Sequence, residues 1–319
     1  MTLEYRIVSG PEAQDIVRLA VTPWGPAGSA EAFVDFAERY RLDISRQAAA
    51  FEKGRLVASA LFMINRGAAA AVMLPDRFSD LSEKHPYYDV ARAILQLLAR
   101  QIEPWDLALI QSMVRPSEQK KIALFSSVGF EILAELIIMQ APVEPTQTDA
   151  SDDRTEAIHW LPYHEGLADR FARTLVETYR SSRDCPKLNG LRIGAEIVEG
   201  HRYEGIYEPR GWWLMTVDGR DAGVLLMNRT EEDSHRLELI YMGIVDWARG
   251  RGIGRRVMQQ AMQTARAMGK QYVRLAADTR NGPAMRLYQS FGFKEVGRQL
   301  ALAVLNETRR RRLKGTTDT

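Results

Sequence analysis

The decisive stretch is "WARGRGIGRR", residues 247–256, which puts three glycines and four arginines into ten positions. Upstream, "RLELIYMGIV" (236–245) is rich in Leu, Ile, Tyr and Val over a strand-like length. Downstream, Ile253, Val257, Met258, Ala261, Met262, Ala265 and Met268 recur at helical spacing, and Gly269 follows as a stop. "QYVRLAAD" (271–278) then reads as a second buried strand. The order is strand, glycine loop, helix, strand. A helix opening on such a loop presents unpaired backbone N–H groups and the positive end of its dipole, which favour an anion such as phosphate.

Known phosphate loops can be eliminated in turn. A dinucleotide fingerprint starting at Gly250 and Gly252 needs a third glycine where Arg255 stands, and no Gly-Lys-Ser/Thr ending supports a Walker loop. What remains is R-x-x-G-x-G, met by Arg249, Gly252 and Gly254. Alone, such a turn before a helix is often only a turn. The following segment, "ADTRNGPAMRLYQSFGFKEVG" (277–297), adds a second helix start at Asn281, with Pro283 early in it. Ala284, Leu287, Tyr288 and Phe291 share one face of that helix, and Gly292 ends it.

Composition bounds the function. A chain of 319 residues is about twice a common domain length. Its 45% apolar and 26% charged content is that of a globular protein. No apolar run suggests a membrane span, and the start "MTLEYRIVSG" lacks the apolar core of a signal peptide, so a cytoplasmic protein is expected. Cys185 is the single cysteine, which excludes an internal disulfide framework, and it reads as an ordinary loop residue. The five histidines show no ligand spacing, so no metal is expected. A net charge of +2 does not call for nucleic acid, and the basic tail at 307–319 reads as a solvated terminus.

Taken together, the glycine loop, its helix, the next strand and N-x-x-A-x-x-L-Y-x-x-x-G-F resemble the GCN5-related N-acetyltransferase (GNAT) superfamily over about residues 235–297. The preceding "WWLMTVDGRDAGVLLMNR" resembles that family's hairpin, turning at Asp218-Gly219. The resemblance implies an acetyl-coenzyme A dependent acyltransferase acting on a primary amine, with no membrane partner. Its cofactor contacts would be Arg249, Gly250, Arg251, Gly252, Ile253, Gly254 and Arg255, with the backbone N–H groups of Arg251 to Arg255 as donors. Met242 and Ile244 would flank the pantetheine arm by position, though their side chains also suit a core. Asn281 is carried over as a cofactor contact, beside its reading as a helix cap. Glu238, eleven residues before Arg249, would accept the amine proton, with pairing to Arg236 as the other reading. Tyr288 would protonate the departing thiolate, though packing alone also explains it.

The N-terminal half repeats these signals in worn form. "FEKGRLVASALFMINR" (51–66) resembles "TVDGRDAGVLLMNRT" (216–230), and "KIALFSSVGFEILAEL" (121–136) resembles "RLYQSFGFKEVGRQL" (286–300). Aligning Gly129-Phe130 with Gly292-Phe293 puts Phe125 at the place of Tyr288, Glu118 at that of Asn281, and "PYYDVA" (86–91) opposite the glycine loop. The expected architecture is α/β with mixed sheets in two tandem GNAT-like domains: a degenerate copy at 1–143, a polar linker at 144–156, a catalytic copy at 157–306 and the tail. The degenerate copy would support the other and bind no cofactor. The layout is similar to that of the mycothiol synthases, a likeness of architecture that leaves the acceptor open. A small-molecule amine leads, a protein or peptide amine is second, and a non-catalytic coenzyme-binding scaffold is third.

Overall fold

Residues 2–21, 30–144, 157–180, 182–230 and 233–317 are described by a computed structural model. The expected linker falls outside them except for Glu144. The chain forms two compact units, one of residues 1–133 with 300–319 and one of residues 134–299.

The chain begins with β1 (Glu4–Ser9), α1 (Pro11–Val21), α2 (Ala30–Arg39), β2 (Arg46–Glu52), β3 (Arg55–Ser59), β4 (Leu61–Asn65) and β5 (Ala69–Met73). Then come α3 (Tyr87–Ala99), β6 (Leu109–Val114), α4 (Gln119–Ser126) and β7 (Glu131–Pro142). The second half carries β8 (Ile158–Pro162), α5 (Ala168–Tyr179), α6 (Gly194–Arg202), β9 (Trp212–Val217), β10 (Arg220–Arg229) and β11 (Arg236–Ile244). It closes with α7 (Ile253–Ala267), β12 (Tyr272–Asp278), α8 (Gly282–Ser290), β13 (Lys294–Leu305) and α9 (Glu307–Thr317).

Both units follow one strand plan. In the second, β8, β9, β10 and β11 run antiparallel in order, β11 pairs parallel with β12, and β12 pairs antiparallel with β7. In the first, β1, β2 and β3 form an antiparallel sheet, while β4 pairs antiparallel with β5, β5 parallel with β6, and β6 antiparallel with β13. The counterpart of β10 is interrupted at Ala60, which divides it into β3 and β4. The hairpin turns match as well. Lys53-Gly54 and Asp218-Gly219 each hold two successive positive φ angles, 53° and 78° in one and 50° and 79° in the other. That pattern is the mirror-image turn whose twist suits a tight hairpin.

The expected cuts at 143 and 306 differ from the unit boundaries because backbone pairing, which is not local in sequence, decides where a strand belongs. Leu136–Pro142 pair with β12 in the second unit, and Leu300–Leu305 pair with β6 in the first. Each half of the sequence thus supplies the closing strand of the other unit. The basic terminus is a docked helix rather than a solvated tail. Asn306 Oδ1 accepts from the Arg309 N–H at 2.8 Å, and Arg309, 5% exposed, pairs with Asp106. Among the described residues no helix is long and apolar enough to cross a membrane.

Cores follow the periodicities. α7 buries Val257, Met258, Ala261, Met262 and Ala265 against Leu225, Met227, Leu237, Val273 and Leu275. On the sheet's other face, α5 buries Phe171 and Leu175 against Trp212, Leu214, Val224 and Leu226. Burying each such side chain contributes roughly 1.5–3 kcal/mol relative to exposure, so the strands beneath the glycine loop form a stiff platform.

Candidate active site

A cleft of about 700 Å³ opens in the second unit between the end of β11, the glycine loop, the start of α8 and the segment after α5. A bulge in β11 shapes it. Leu226 pairs with Tyr241 and Met227 with Leu239, so Ile240 has no partner on β10. The extra residue reverses the alternation: Leu237 and Leu239 join the core under α7 before it, Met242 and Ile244 after it, while Tyr241 turns toward α5. The parallel ladder with β12 covers only 236–239 against 272–275. Beyond it, the edge of β11 facing β12 is unpaired among the described residues, and Tyr241 to Ile244 line the cleft there.

Gly250 and Gly252 hold φ of 76° and 78°, the left-handed region where a side chain would be strained. Gly252 is also the N-cap of α7, so the N–H groups of Ile253 and Gly254 in its first turn have no intrahelical acceptor. A Cβ on Gly254 would meet Leu287 Cδ2 at 3.3 Å, which lets α7 and α8 approach closely. The Arg255 N–H already donates to Gly252 O at 3.0 Å, so the expected row of donors stops at Gly254.

Met242, Ile244, Arg249, Gly250, Gly252, Ile253, Gly254, Asn281 and Tyr288 all line the cleft. Arg251, Arg255 and Glu238 do not. The Arg255 guanidinium lies over the Phe291 ring at 5.2 Å. Arg249 acts as a strut: Nε donates to Ile244 O at 2.8 Å, Nη2 to Thr178 O at 3.0 Å, and Nη1 pairs with Asp246 at 2.6 Å. Asn281 caps α8, its Oδ1 accepting from the Ala284 N–H at 3.4 Å, while also facing the cleft. Tyr288 is 6% exposed on the inner face of α8. Its burial, helped by Asp184 and Tyr241, pushes the phenol well above its ordinary value, which keeps it protonated and able to donate.

Glu238 is an ion-pair residue. Arg236 Nε donates to its Oε1 at 2.7 Å and Arg274 Nε to its Oε2 at 3.1 Å. It precedes the bulge, in the stretch zipped to β12, and does not line the cleft.

Sequence reasoning missed Tyr241 and Asp184. Tyr241 Oη lies 2.9 Å from Thr178 Oγ1 and its ring stacks on Tyr179 and His201 at 5.0 and 5.4 Å. Tyr179 Oη is 3.0 Å from His201 Nε2, and His201 Nδ1 is 3.0 Å from Glu204. Asp184 enters from the segment after α5 and lines the cleft beside Arg183. Burial first, then Asp184 and Asp278, push the Cys185 thiol up to about 12, which keeps it protonated near neutral pH.

Comparison with known proteins agrees with this geometry. The model of the acetyltransferase (GNAT) family matches residues 175–293. The chain is similar to the mycothiol acetyltransferase of Beutenbergia cavernae, 32% identical over 106 residues, 32% of this chain and 36% of that protein. It thus spans about a third of the length of that relative. Among solved structures, a GCN5-related N-acetyltransferase from Sphaerobacter thermophilus superposes with a TM-score of 0.55 at 19% identity, covering 94% of this chain and 95% of the other. A tandem GNAT protein from the clavulanic acid biosynthesis pathway gives 0.56 at 13% identity, covering 95% and 98%. Those two likenesses concern the fold. The segment 175–293, in the second unit, is thus similar to the GNAT acetyltransferases, and the chain as a whole shares the fold of the tandem GNAT protein.

Proposed function

We propose that the protein is a cytoplasmic acetyl-coenzyme A dependent N-acetyltransferase that acts on the primary amine of a small molecule. The observation that carries this reading is that the glycine-capped start of α7 and Tyr288 face one cleft. The residues fit the coenzyme. Ile253 and Gly254 N–H groups and the α7 dipole suit a diphosphate, Gly250 and Gly252 admit close approach, and the unpaired edge of β11 beside Met242 and Ile244 suits an amide-bearing arm. Asn281 would contact the same arm.

When bound, the coenzyme supplies an acetyl group as a thioester. The chain excludes water with Met242, Ile244, Ala284 and Leu287, and positions the acceptor amine from the side of Ser182–Asp184. Tyr288 holds its proton at Oη for the sulfur that leaves, which lowers the barrier to C–S cleavage. The similarity to a mycothiol acetyltransferase makes amines of sugar thiols the first acceptors to try. Thiol release from acetyl-coenzyme A should therefore be assayed with small amines, amino sugars and peptides. Turnover that is fastest with a small amine supports the proposal. Tight coenzyme binding without thiol release for any acceptor would favour the scaffold, and peptides alone would move the acceptor class to proteins.

A further inference from the structure

The reaction needs a proton acceptor in the cleft, because an ammonium nitrogen has no lone pair to attack with. Among the described residues that line it, Asp184 is the one carboxylate. It is held crosswise against the end of β12. Asp184 Oδ1 accepts from the Asp278 N–H at 3.0 Å, and Asp278 Oδ2 accepts from the Cys185 N–H at 3.3 Å. Cys185 takes a left-handed φ of 44° in doing so, and Ser182 Oγ accepts the N–H of Asp184 itself at 3.1 Å. The loop is thereby fixed on both sides of the carboxylate.

Asp184 and Asp278 place carboxylate oxygens within 4.8 Å of each other, and their surroundings separate them. Asp278 is fully buried, yet Arg280 grips it with Nη2 at 2.6 Å and Nε at 2.9 Å. Burial disfavours its charge, but Arg280 and the backbone donors outweigh that and hold it below its ordinary value. Asp184 has no cation of its own among the described residues. Burial, then the charge of Asp278, push its carboxyl up, against the Asp278 N–H and the more distant Arg280. The other titratable groups facing it are Cys185, Tyr179, Tyr241 and Tyr288. Two adjacent carboxylates driven apart in this way are a recurrent arrangement for acid–base work.

We propose that Asp184 is the catalytic residue that accepts the amine proton, an assignment that rests on the acetyl-transfer reading above. One ammonium proton passes to the Asp184 carboxylate, the freed nitrogen forms the C–N bond, and the C–S bond breaks. The sulfur takes the Tyr288 proton, a second ammonium proton restores Tyr288, and Asp184 releases its own to solvent, so one proton leaves per turnover.

Asp184→Asn keeps an oxygen for the Asp278 N–H and should leave acetyl-coenzyme A affinity within about twofold by calorimetry, while kcat/KM falls about 100-fold or more. The acid limb of the pH–rate profile, where the rate drops as Asp184 protonates, should vanish in that variant and persist in Glu238→Gln. Independently, carbon-13 carboxyl NMR of the full-length protein should show Asp184 titrating well above Asp278. Unchanged rate and limb in Asp184→Asn, or an Asp184 carboxyl titrating with the exposed carboxylates, overturns the assignment. If the unmodified protein releases no thiol with any amine, the parent reading fails, whereas a raised Asp184 titration beside a normal Asp184→Asn rate removes only the base.

Discussion

In the second unit the helix that joins the two parallel strands begins on Gly252, with a positive φ and no carboxylate in its first turn. In the first unit the matching helix, α3, begins on Pro86, with φ of −60° and Asp89 in its first turn. Because α3 starts at Tyr87, the counterpart of Arg249–Gly252 is Glu83–Pro86, three residues before the segment that an ungapped alignment selects. Neither stretch carries a glycine. At the corresponding helix starts of the first unit, side chains bind one another. Tyr87 Oη donates to Pro75 O at 2.5 Å, and Lys121 binds Asp76 and Glu118 at 2.6 and 3.0 Å, with Arg115 on Glu118 at 3.2 Å. Phe125 packs on Phe130 in the place of Tyr288 on Phe293. The strand plan survives these differences, so the fold rests on the sheet and its helix faces, and the coenzyme binding proposed above would rest on the opening turn of one helix.

The sharpest way to break the comparison is Gly252→Val. A non-glycine residue in the left-handed region costs about 1–2 kcal/mol, and more when β-branched. The loop would relax and turn its N–H groups away, so acetyl-coenzyme A affinity should fall about 100-fold or more by calorimetry. Pro86→Gly should change nothing, and the unmodified chain should bind one equivalent. Two equivalent sites would sink the reading that the first copy is inert.

Next is Tyr288→Phe, expected to lower kcat about 10²- to 10³-fold with coenzyme affinity kept. Phe125→Tyr should add no activity. If Tyr288→Phe turns over normally, the two aromatic positions differ in packing only.

Glu238→Gln separates ion pairing from catalysis. It leaves the guanidinium groups of Arg236 and Arg274 facing an amide, so stability should drop by about 1–3 kcal/mol. The rate at its pH optimum should stay within about threefold. A large rate loss with unchanged stability restores Glu238 to the chemistry.

The smallest effect concerns the ion-pair network at the start of α4 in the first unit. Burial raises the Glu118 carboxyl, but hydrogen bonds from Lys121 and Arg115 bring it down to about 2. A folded value below the unfolded one, 4.5, means stability that is present above pH 4.5 and lost as pH falls toward 2. Screening by solvent at this surface discounts the effect, so denaturant titrations should show Glu118→Gln removing about 1 kcal/mol or less at neutral pH and flattening that acid loss. An identical acid profile in both proteins would mean that the network contributes nothing.

How far the sequence was readable follows from how local each feature is. The α7 loop, the Asn281 cap and Tyr288 sit at helix starts or on a helix face, where spacing of a few residues determines geometry. Glu238 misled because its spacing from Arg249 says nothing of Ile240, whose bulge reverses the faces of β11, or of Arg274, which reaches it through pairing across 36 positions. Asp184 was hidden because its burial depends on Asp278, 94 positions away. Strand ownership was hidden for the same reason. A polar linker marks a break in composition, whereas Leu136–Pro142 are placed by partners on β12.

The exchange of closing strands also sets the order of folding during synthesis. Leu136–Pro142 are already made when β12 emerges, so the second unit can close as soon as its own strands exist. The first unit cannot. Its β6 edge waits for Leu300–Leu305, and its Asp106 for Arg309, about 170 residues after Leu133. At roughly 5–20 residues per second that is on the order of ten to thirty seconds with a sheet edge open. A released chain ending at Gln299 should therefore display a closed, coenzyme-competent second unit and an unfinished, protease-sensitive first one, even though the first was translated earlier.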